Sequence, residues 1–459
     1  MERLRRRFDA IRAELGVPES FPPEVTAEAE RAARRTAPGP ADLRDVPFVT
    51  IDPPGSTDLD QALHLSRRPR GGYHVDYAIA DVPAFVDPTG AVAAEAFRRG
   101  QTLYAPDTKA PLHPPVLSEG AASLLPDVER PAFVWRFDLD DTGEVERTEL
   151  VRGVVRGRRR LDYRTVQDAA AGSGSGSGSG SGAEGELVTA QAALLAEVGR
   201  ARIERERARG GASLPMPEQD VVAHDGRFAV VVRPALPAEE CNAQISLMTG
   251  MAAARIMLDG GVGLLRTMPP PDEDRVRAYR AQSERLGVPW PADLPYGEFV
   301  AGLDASQPAQ LALIHAAAGL FRGSGYTPVS QLSGDGPHDG THAAVAAHYA
   351  HVTAPLRRLV DRFGLVCSYH LSRGEPVPAW AVDALDALPE RMRASDQVAA
   401  ELDRDCLDSV EAAVLDGRLG ETFEAVVVEV RREGARGTVQ LFDPPVLSPS
   451  RGPLELGER

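Results

Sequence analysis

The sequence predicts a mixed α/β protein: a short helical N-terminal segment, a large middle of interleaved helices and strands, and strands again at the C-terminal end. Three observations carry this. Leu4, Phe8, Ile11 and Leu15 recur at helical spacing, strand-like runs alternate with helical ones through the middle, and after Gly417 the pattern returns to strands. At 459 residues the chain exceeds what one ordinary core organises. We therefore expect one large domain over residues 45–415, with smaller attachments over residues 1–44 and 416–459.

In chain order, the first helical stretch ends at Gly16, a second runs from Pro23 to about Arg35, and Ala37-Pro38-Gly39-Pro40 closes the leader. The leader is too short for a β-barrel and reads as a helical cap or a small nucleic-acid module. Phe48 to Ile51, Ala62 to Leu65 and Tyr73 to Ala80 read as strands, the last two joined by a hairpin at Arg70-Gly71-Gly72. Helical patterns fill Gly185 to Arg209 and Cys241 to Leu258, with strand-like Phe228 to Val232 between them. Further helices are expected over Pro308 to Gly319, Thr341 to His351, Leu356 to Leu371 and Glu390 to Leu415. Thr422 to Val430 and Gly437 to Phe442, separated by a turn at Glu433-Gly434, read as the opening of an OB-fold barrel that remains partial. Gly172 to Gly182 alternates glycine and serine, a flexible linker by composition.

No apolar run approaches the roughly 18 residues of a bilayer span, and the basic start is followed by an amphipathic pattern, not a signal-peptide core. A soluble protein without a membrane partner is expected. Cys241, Cys367 and Cys406 are odd in number and far apart, so neither a disulfide framework nor a Cys-x-x-Cys metal site is available, which fits the cytoplasm. The net charge of −16 argues against nonspecific coating of nucleic acid. Arginines nonetheless crowd Arg152 to Arg164 and Arg202 to Arg209, the second run reading as a solvated helix face because Glu204 and Glu206 interrupt it. Lys109 is the only lysine. His338, His342, His348 and His351 lie close together but lack the spacing of a structural zinc site.

The chemistry concentrates in Thr50-Ile51-Asp52-Pro53-Pro54-Gly55-Ser56-Thr57-Asp58-Leu59-Asp60-Gln61, where three carboxylates surround a tight turn. In an extended segment Asp58 and Asp60 share a face, about twice the 3.3 Å rise apart, and Asp52 can fold back across the turn. Hard cations require such oxygen donors. Two ions about 4 Å apart can activate a water and stabilise the leaving oxygen of a phosphodiester. Taken alone, the residues also fit a surface turn stabilised by Asx hydrogen bonds.

The segment is similar to the signature of the ribonuclease II (RNB) family, a Thr-Ile-Asp strand end followed by an Asp-x-Asp-Asp group. The resemblance continues in order through Ile79-Ala80-Asp81-Val82, Tyr104-Ala105-Pro106, Leu117-Ser118, Ser123-Leu124-Leu125-Pro126 and Tyr349-Ala350-His351-Val352-Thr353-Ala354-Pro355-Leu356-Arg357-Arg358, covering roughly residues 45 to 415. It implies an RNB catalytic domain that removes nucleoside 5′-monophosphates hydrolytically and processively from the 3′ end of single-stranded RNA. It also implies Mg²⁺, one or two ions, with Mn²⁺ as a substitute. Asp52, Asp58 and Asp60 match the family's metal and catalytic carboxylates, Asp60 being the one most tied to chemistry, and Arg357 matches the arginine beside the scissile phosphate. Tyr104 and Tyr163 match tyrosines that contact the RNA, and Arg358 belongs to the same RNA-binding motif. A monomer is expected.

Two positions depart from the family. Gln61 stands where a fourth carboxylate is expected, leaving a metal-adjacent amide with less charge. Gln244 aligns with a glutamate that recognises the terminal ribose. The competing readings are an RNB-type RNA-binding protein impaired in catalysis, which Gln61 favours, and an unrelated Asp-x-Asp phosphatase or glycosyltransferase. The phosphatase would need its motif directly after an apolar strand, whereas Asp58 follows Pro-Pro-Gly-Ser-Thr.

Overall fold

The computed structural model describes the chain except residues 1, 36–39, 173–181, 213, 215–217, 225–226, 234, 333–338 and 432–434. Expectations for the Ala37-Pro38-Gly39 break, the Gly-Ser linker, His338 and the Glu433-Gly434 turn fall on these residues and lie outside the described ones.

Helices α1 (Glu2–Glu14) and α2 (Pro23–Ala33) precede a sheet built from β1 (Ala41–Leu43), β2 (Val49–Ile51), β3 (Gln61–Arg67) and β4 (Tyr73–Ala80). Helix α3 (Ala91–Arg99) and the hairpin of β5 (Leu103–Tyr104) and β6 (Lys109–Ala110) follow, then the long strands β7 (Glu129–Leu139) and β8 (Val145–Arg156) and short β9 (Arg159–Leu161). The seven strands of the sheet run in the order β1-β8-β7-β4-β3-β2-β9, parallel where β1 meets β8 and β2 meets β9 and antiparallel elsewhere.

Both faces of this sheet are covered, so period-2 alternation divides two apolar cores instead of separating apolar from wet. Tyr77, Ile79, Phe133, Trp135 and Phe137 face helices α4 (Tyr163–Ala170), α5 (Ala183–Ala208) and α6 (Pro237–Gly260). Ala78, Ala80, Ala132 and Val134 face the other way, onto Val25, Ala29 and Ala32 of α2 and onto Val92 and Ala93 of α3. Small residues on that face let the helices approach closely. Strand β7 does not stand out at the sequence level, because a strand buried on both sides loses the alternation that marks it.

Strands β10 (Glu218–His224) and β11 (Arg227–Arg233) form a ribbon, and β12 (Leu264–Thr267) pairs with β13 (Gly325–Pro328) around helices α7 (Glu273–Arg285), α8 (Tyr296–Ala301) and α9 (Pro308–Ala317). The helix expected over Thr341 to His351 is absent: the segment forms the short antiparallel pair β14 (Thr341–His342) and β15 (Ala347–His348). Its first amide, Thr341 N–H, donates to Asp339 Oδ1 at 2.8 Å, an Asx turn that competes with helix initiation. Ala346 has φ 52°, and Ala350 N–H reaches Gly250 O at 3.1 Å. Tertiary pairing therefore overrides local spacing.

Helices α10 (Leu359–Ser372), α11 (Ala379–Val382) and α12 (Leu388–Leu415) close the large body. The leader is part of it, since Phe8 and Ile11 of α1 pack with Leu402, Cys406 and Val410 of α12. A three-stranded antiparallel sheet of β16 (Ala425–Arg431), β17 (Arg436–Leu441) and β18 (Leu447–Arg451) docks through Val426 and Val428 onto Leu311. All three cysteines are buried and unpaired. Among the described residues no helix is long and apolar enough to cross a membrane.

Candidate active site

The acidic segment is a strap tied down at both ends. Asp52 N–H donates to Leu161 O at 3.1 Å, and the turn closes by Ser56 N–H to Pro53 O at 3.2 Å, with Gly55 at φ 87°, a conformation that glycine adopts without strain. Beyond the turn the chain is extended. Leu59 is buried and points into the apolar core beneath α2 and α3, leaving Asp58 and Asp60 on the opposite side. Ser123 fixes this arrangement: its hydroxyl donates to Thr57 O at 2.8 Å and accepts from Leu59 N–H at 2.9 Å, while Leu124 N–H donates to Leu59 O at 3.0 Å. The Ser-Leu motif thus holds the strap from outside the sheet.

Asp60 is almost fully enclosed, and its Oδ1 accepts from Leu356 N–H at 2.7 Å. Arg357 Nε lies 3.7 Å from its Oδ2, with half of the arginine side chain, 49%, open to solvent. Burial pushes the Asp60 carboxyl up to about 8, against the opposing pull of Arg357 and the Leu356 amide. Burial, with Asp58 nearby, also raises Asp52 to about 6, although Arg357 and Arg160 act to lower it.

The arginine loop has its own anchor. Asp361, fully buried, accepts Ala354 N–H at 2.7 Å and Arg358 Nη2 at 2.9 Å. The resemblance assigns Arg358 to RNA. The structure corrects this: Asp361 pairs with Arg358, whose side chain is 21% exposed, and Arg357 is the one left facing Asp60. Backbone bonds then pin the loop to the β5 edge, Thr102 N–H donating to Arg357 O at 2.9 Å and Leu359 N–H to Gly100 O at 3.0 Å.

Gln61 is not a spare oxygen donor. Its Nε2 donates to Thr353 O at 2.7 Å and its Oε1 accepts from the Tyr77 hydroxyl at 2.6 Å, which also bonds Ser246 Oγ at 2.7 Å. The amide joins β3 to the arginine loop and to α6, so the metal-adjacent position carries a structural bridge.

Tyr104 is 51% exposed, in the electrostatic field of Asp58, Asp60, Arg357 and Lys109. Tyr163, at the start of α4, shares a hydrogen bond with Asn242 and lies within the field of Asp52 and Glu239. Gln244 does not join them. It is buried, with its amide donating to Glu206 of α5. The expected ribose contact is therefore misplaced, and the α6 residues beside Tyr163 are Asn242 and Glu239.

Lys109, conspicuous in the sequence only for its rarity, enters the site: Nζ lies 2.8 Å from Asp58 Oδ1 and 3.0 Å from Glu119 Oε1. Burial opposes its charge, but these two carboxylates outweigh it and raise its pKa above the ordinary value. Both arginine clusters are largely spent on the fold. Arg152 pairs with Asp81, Arg159 with Glu184, and Arg160 donates to Ser56 O at 3.0 Å on the strap. Arg202, expected on a solvated face, is buried and bonds Gly143 O at 2.9 Å.

Among the described residues no group of three or more His, Cys, Asp or Glu side chains stands ready to hold a metal ion. The donor chemistry nevertheless fits one hard cation. Asp52 Oδ2 is buried without a hydrogen-bond partner, and Asp60 Oδ2 meets only the 3.7 Å arginine contact.

Carboxylates and a half-free guanidinium brought together at a sheet end define the chemical class, a site suited to phosphate esters. Residues 41–364 match the RNB domain and residues 421–459 match the RNase II-type exonuclease C-terminal S1 domain, so the chain belongs to the RNB family. Ribonuclease R of Vibrio cholerae is 24% identical over 442 residues, covering 91% of this chain and 52% of the relative. Ribonuclease R of Aquifex aeolicus is 25% identical over 443 residues, covering 92% and 60%. The chain spans about half the length of the curated relatives it matches. Mycoplasma genitalium RNase R in complex with ribose methylated single-stranded RNA superposes with TM-score 0.83 at 18% identity, covering 96% of this chain and 69% of that one. Yeast Ssd1, a pseudonuclease, superposes at 0.74 with 15% identity, covering 97% and 55%. These likenesses establish the fold; competence rests on the residues.

Proposed function

We propose that the protein is a metal-dependent hydrolytic exoribonuclease that shortens single-stranded RNA processively from its 3′ end and releases nucleoside 5′-monophosphates. The observation that carries this is the convergence of Asp52, Asp60 and Arg357, with Arg357 released for substrate because Arg358 takes Asp361. RNA as substrate extends to this chain what the Mycoplasma genitalium neighbour binds. A monomer working in a reducing cytoplasm fits the buried, unpaired cysteines.

Each residue has a separable task. Asp52 and Asp60 would hold Mg²⁺, or Mn²⁺ in its place, through their spare oxygens. Such an ion supplies Lewis acidity and favours a nucleophilic water at neutral pH. Asp60, fixed by the Leu356 amide, has its free oxygen directed and not searching. Arg357 can pair with the scissile phosphate and stabilise charge that develops in the transition state. Tyr104 offers an exposed ring on which a base can stack. Tyr163, with Asn242, closes the Asp52 side.

The second reading, an RNA-binding protein without catalysis, draws on Gln61, whose amide is wholly engaged in place of a carboxylate, and on the pseudonuclease neighbour. A 5′-labelled single-stranded RNA decides between them, incubated with Mg²⁺ or chelator beside Asp60→Asn and a DNA control. Metal-dependent 3′ shortening that Asp60→Asn slows by about 10³-fold or more, with RNA affinity retained, is expected. Binding without shortening would select the second reading.

A further inference from the structure

The geometry points to Lys109 as a built-in second cation: its ammonium occupies the Asp58 side of the site, so the chain works with one divalent ion where the paired-metal arrangement would need two. This rests on the exoribonuclease reading and goes beyond it.

Four observations support the assignment. First, Nζ bridges two carboxylates, Asp58 at 2.8 Å and Glu119 at 3.0 Å, so both spend an oxygen on it. The ammonium thus takes one oxygen of each carboxylate and repels a second cation on this side. Second, the position that departs from the family's acidic set is Gln61, and its two amide ends are consumed by Tyr77 and Thr353. Negative charge is thus reduced by one group and offset by another within the same site. Third, Lys109 is the sole lysine among 51 lysine and arginine residues. A compact ammonium acts as a point charge between two oxygens, which a planar guanidinium with fixed donor directions does not reproduce. Fourth, the lysine is held in place by the backbone. It sits directly across from Tyr104 in the β5–β6 hairpin, which is closed by Ala105 N–H to Thr108 O at 2.8 Å.

A fixed ammonium here would do part of what a second ion does, offsetting charge as phosphate enters, without ion binding or loss between cycles. It cannot polarise water as a divalent ion does, so that task stays on the Asp52 and Asp60 side. Lys109 is accordingly a charge-supplying, positioning residue.

The test counts bound Mn²⁺ per full chain, from the loss of the free-ion paramagnetic resonance signal, without RNA. Wild type should bind one ion. Lys109→Met should bind two, because Asp58 and Glu119 are freed. Lys109→Gln, which keeps a polar side chain, should give the same count and carries the test if Lys109→Met does not fold. At limiting Mg²⁺ either variant should lose kcat by roughly 100-fold with little change in KM, and excess metal should restore much of the loss. A merely structural lysine would give no change in ion count and no metal rescue. Any other wild-type count, or one ion in both variants, overturns the inference. A chain that moves from one ion to two yet never shortens RNA supports the cation exchange and overturns the exoribonuclease reading instead.

Discussion

The two ends of the strap's second half are held by opposite means. At Asp60 the carboxylate is enclosed, grips a backbone amide of the arginine loop, and keeps one oxygen almost free. At Asp58 the carboxylate is partly open and neutralised by a lysine that also serves Glu119. The first arrangement costs stability whenever the group ionises, because its charge is then kept out of water with little compensation. The second is an ordinary part-exposed ion pair of modest worth. Two aspartates separated by a single leucine therefore divide the work, one kept poised and one kept quiet.

Removing the anchor beneath the poised end should have the largest effect. Asp361→Ala leaves the part-buried Arg358 without its carboxylate and the buried Ala354 amide without its acceptor, and should cost about 3 kcal/mol in chemical denaturation, whereas Asp58→Ala should cost about 1 kcal/mol or less. Equal losses would erase the contrast. Next, Arg357→Ala should lower kcat by about 100-fold and leave RNA affinity nearly unchanged; a pure affinity loss would assign Arg357 to binding alone. A third contrast concerns pH. Asp60 and Asp52 hold protons more tightly folded than unfolded, about 8 and about 6 against roughly 3.9 for a free aspartate. The metal-free protein should therefore lose stability as pH rises from near 4 through 8. Asp60→Asn should flatten that decline in a Tm series, and Asp58→Asn should leave it in place.

Much of this was legible because the determinants are local. Asp52 to Asp60 carries its own turn, alternation and charge, and the arginine motif precedes a helix that is buried through most of its length. The Gln244 expectation failed through helix geometry: it lies about 200° around α6 from Asn242, so a two-residue shift moves a side chain from the Tyr163 corner to the α5 interface. The Thr341 to His351 helix failed because Asp339 and Gly250 capture its backbone groups. Lys109 and Gln61 could be noticed but not interpreted, since Asp58 and Thr353, which meet them, come from other segments of the chain.

The hydrogen bonds from Thr102 to Arg357 and from Leu359 to Gly100 have a mechanical consequence. Tyr104 and Arg357 hang from neighbouring segments laced together by main-chain bonds, so the spacing of their Cα atoms is set by peptide geometry. The two side chains thus swing from one shared base, and neither segment can shift without the other.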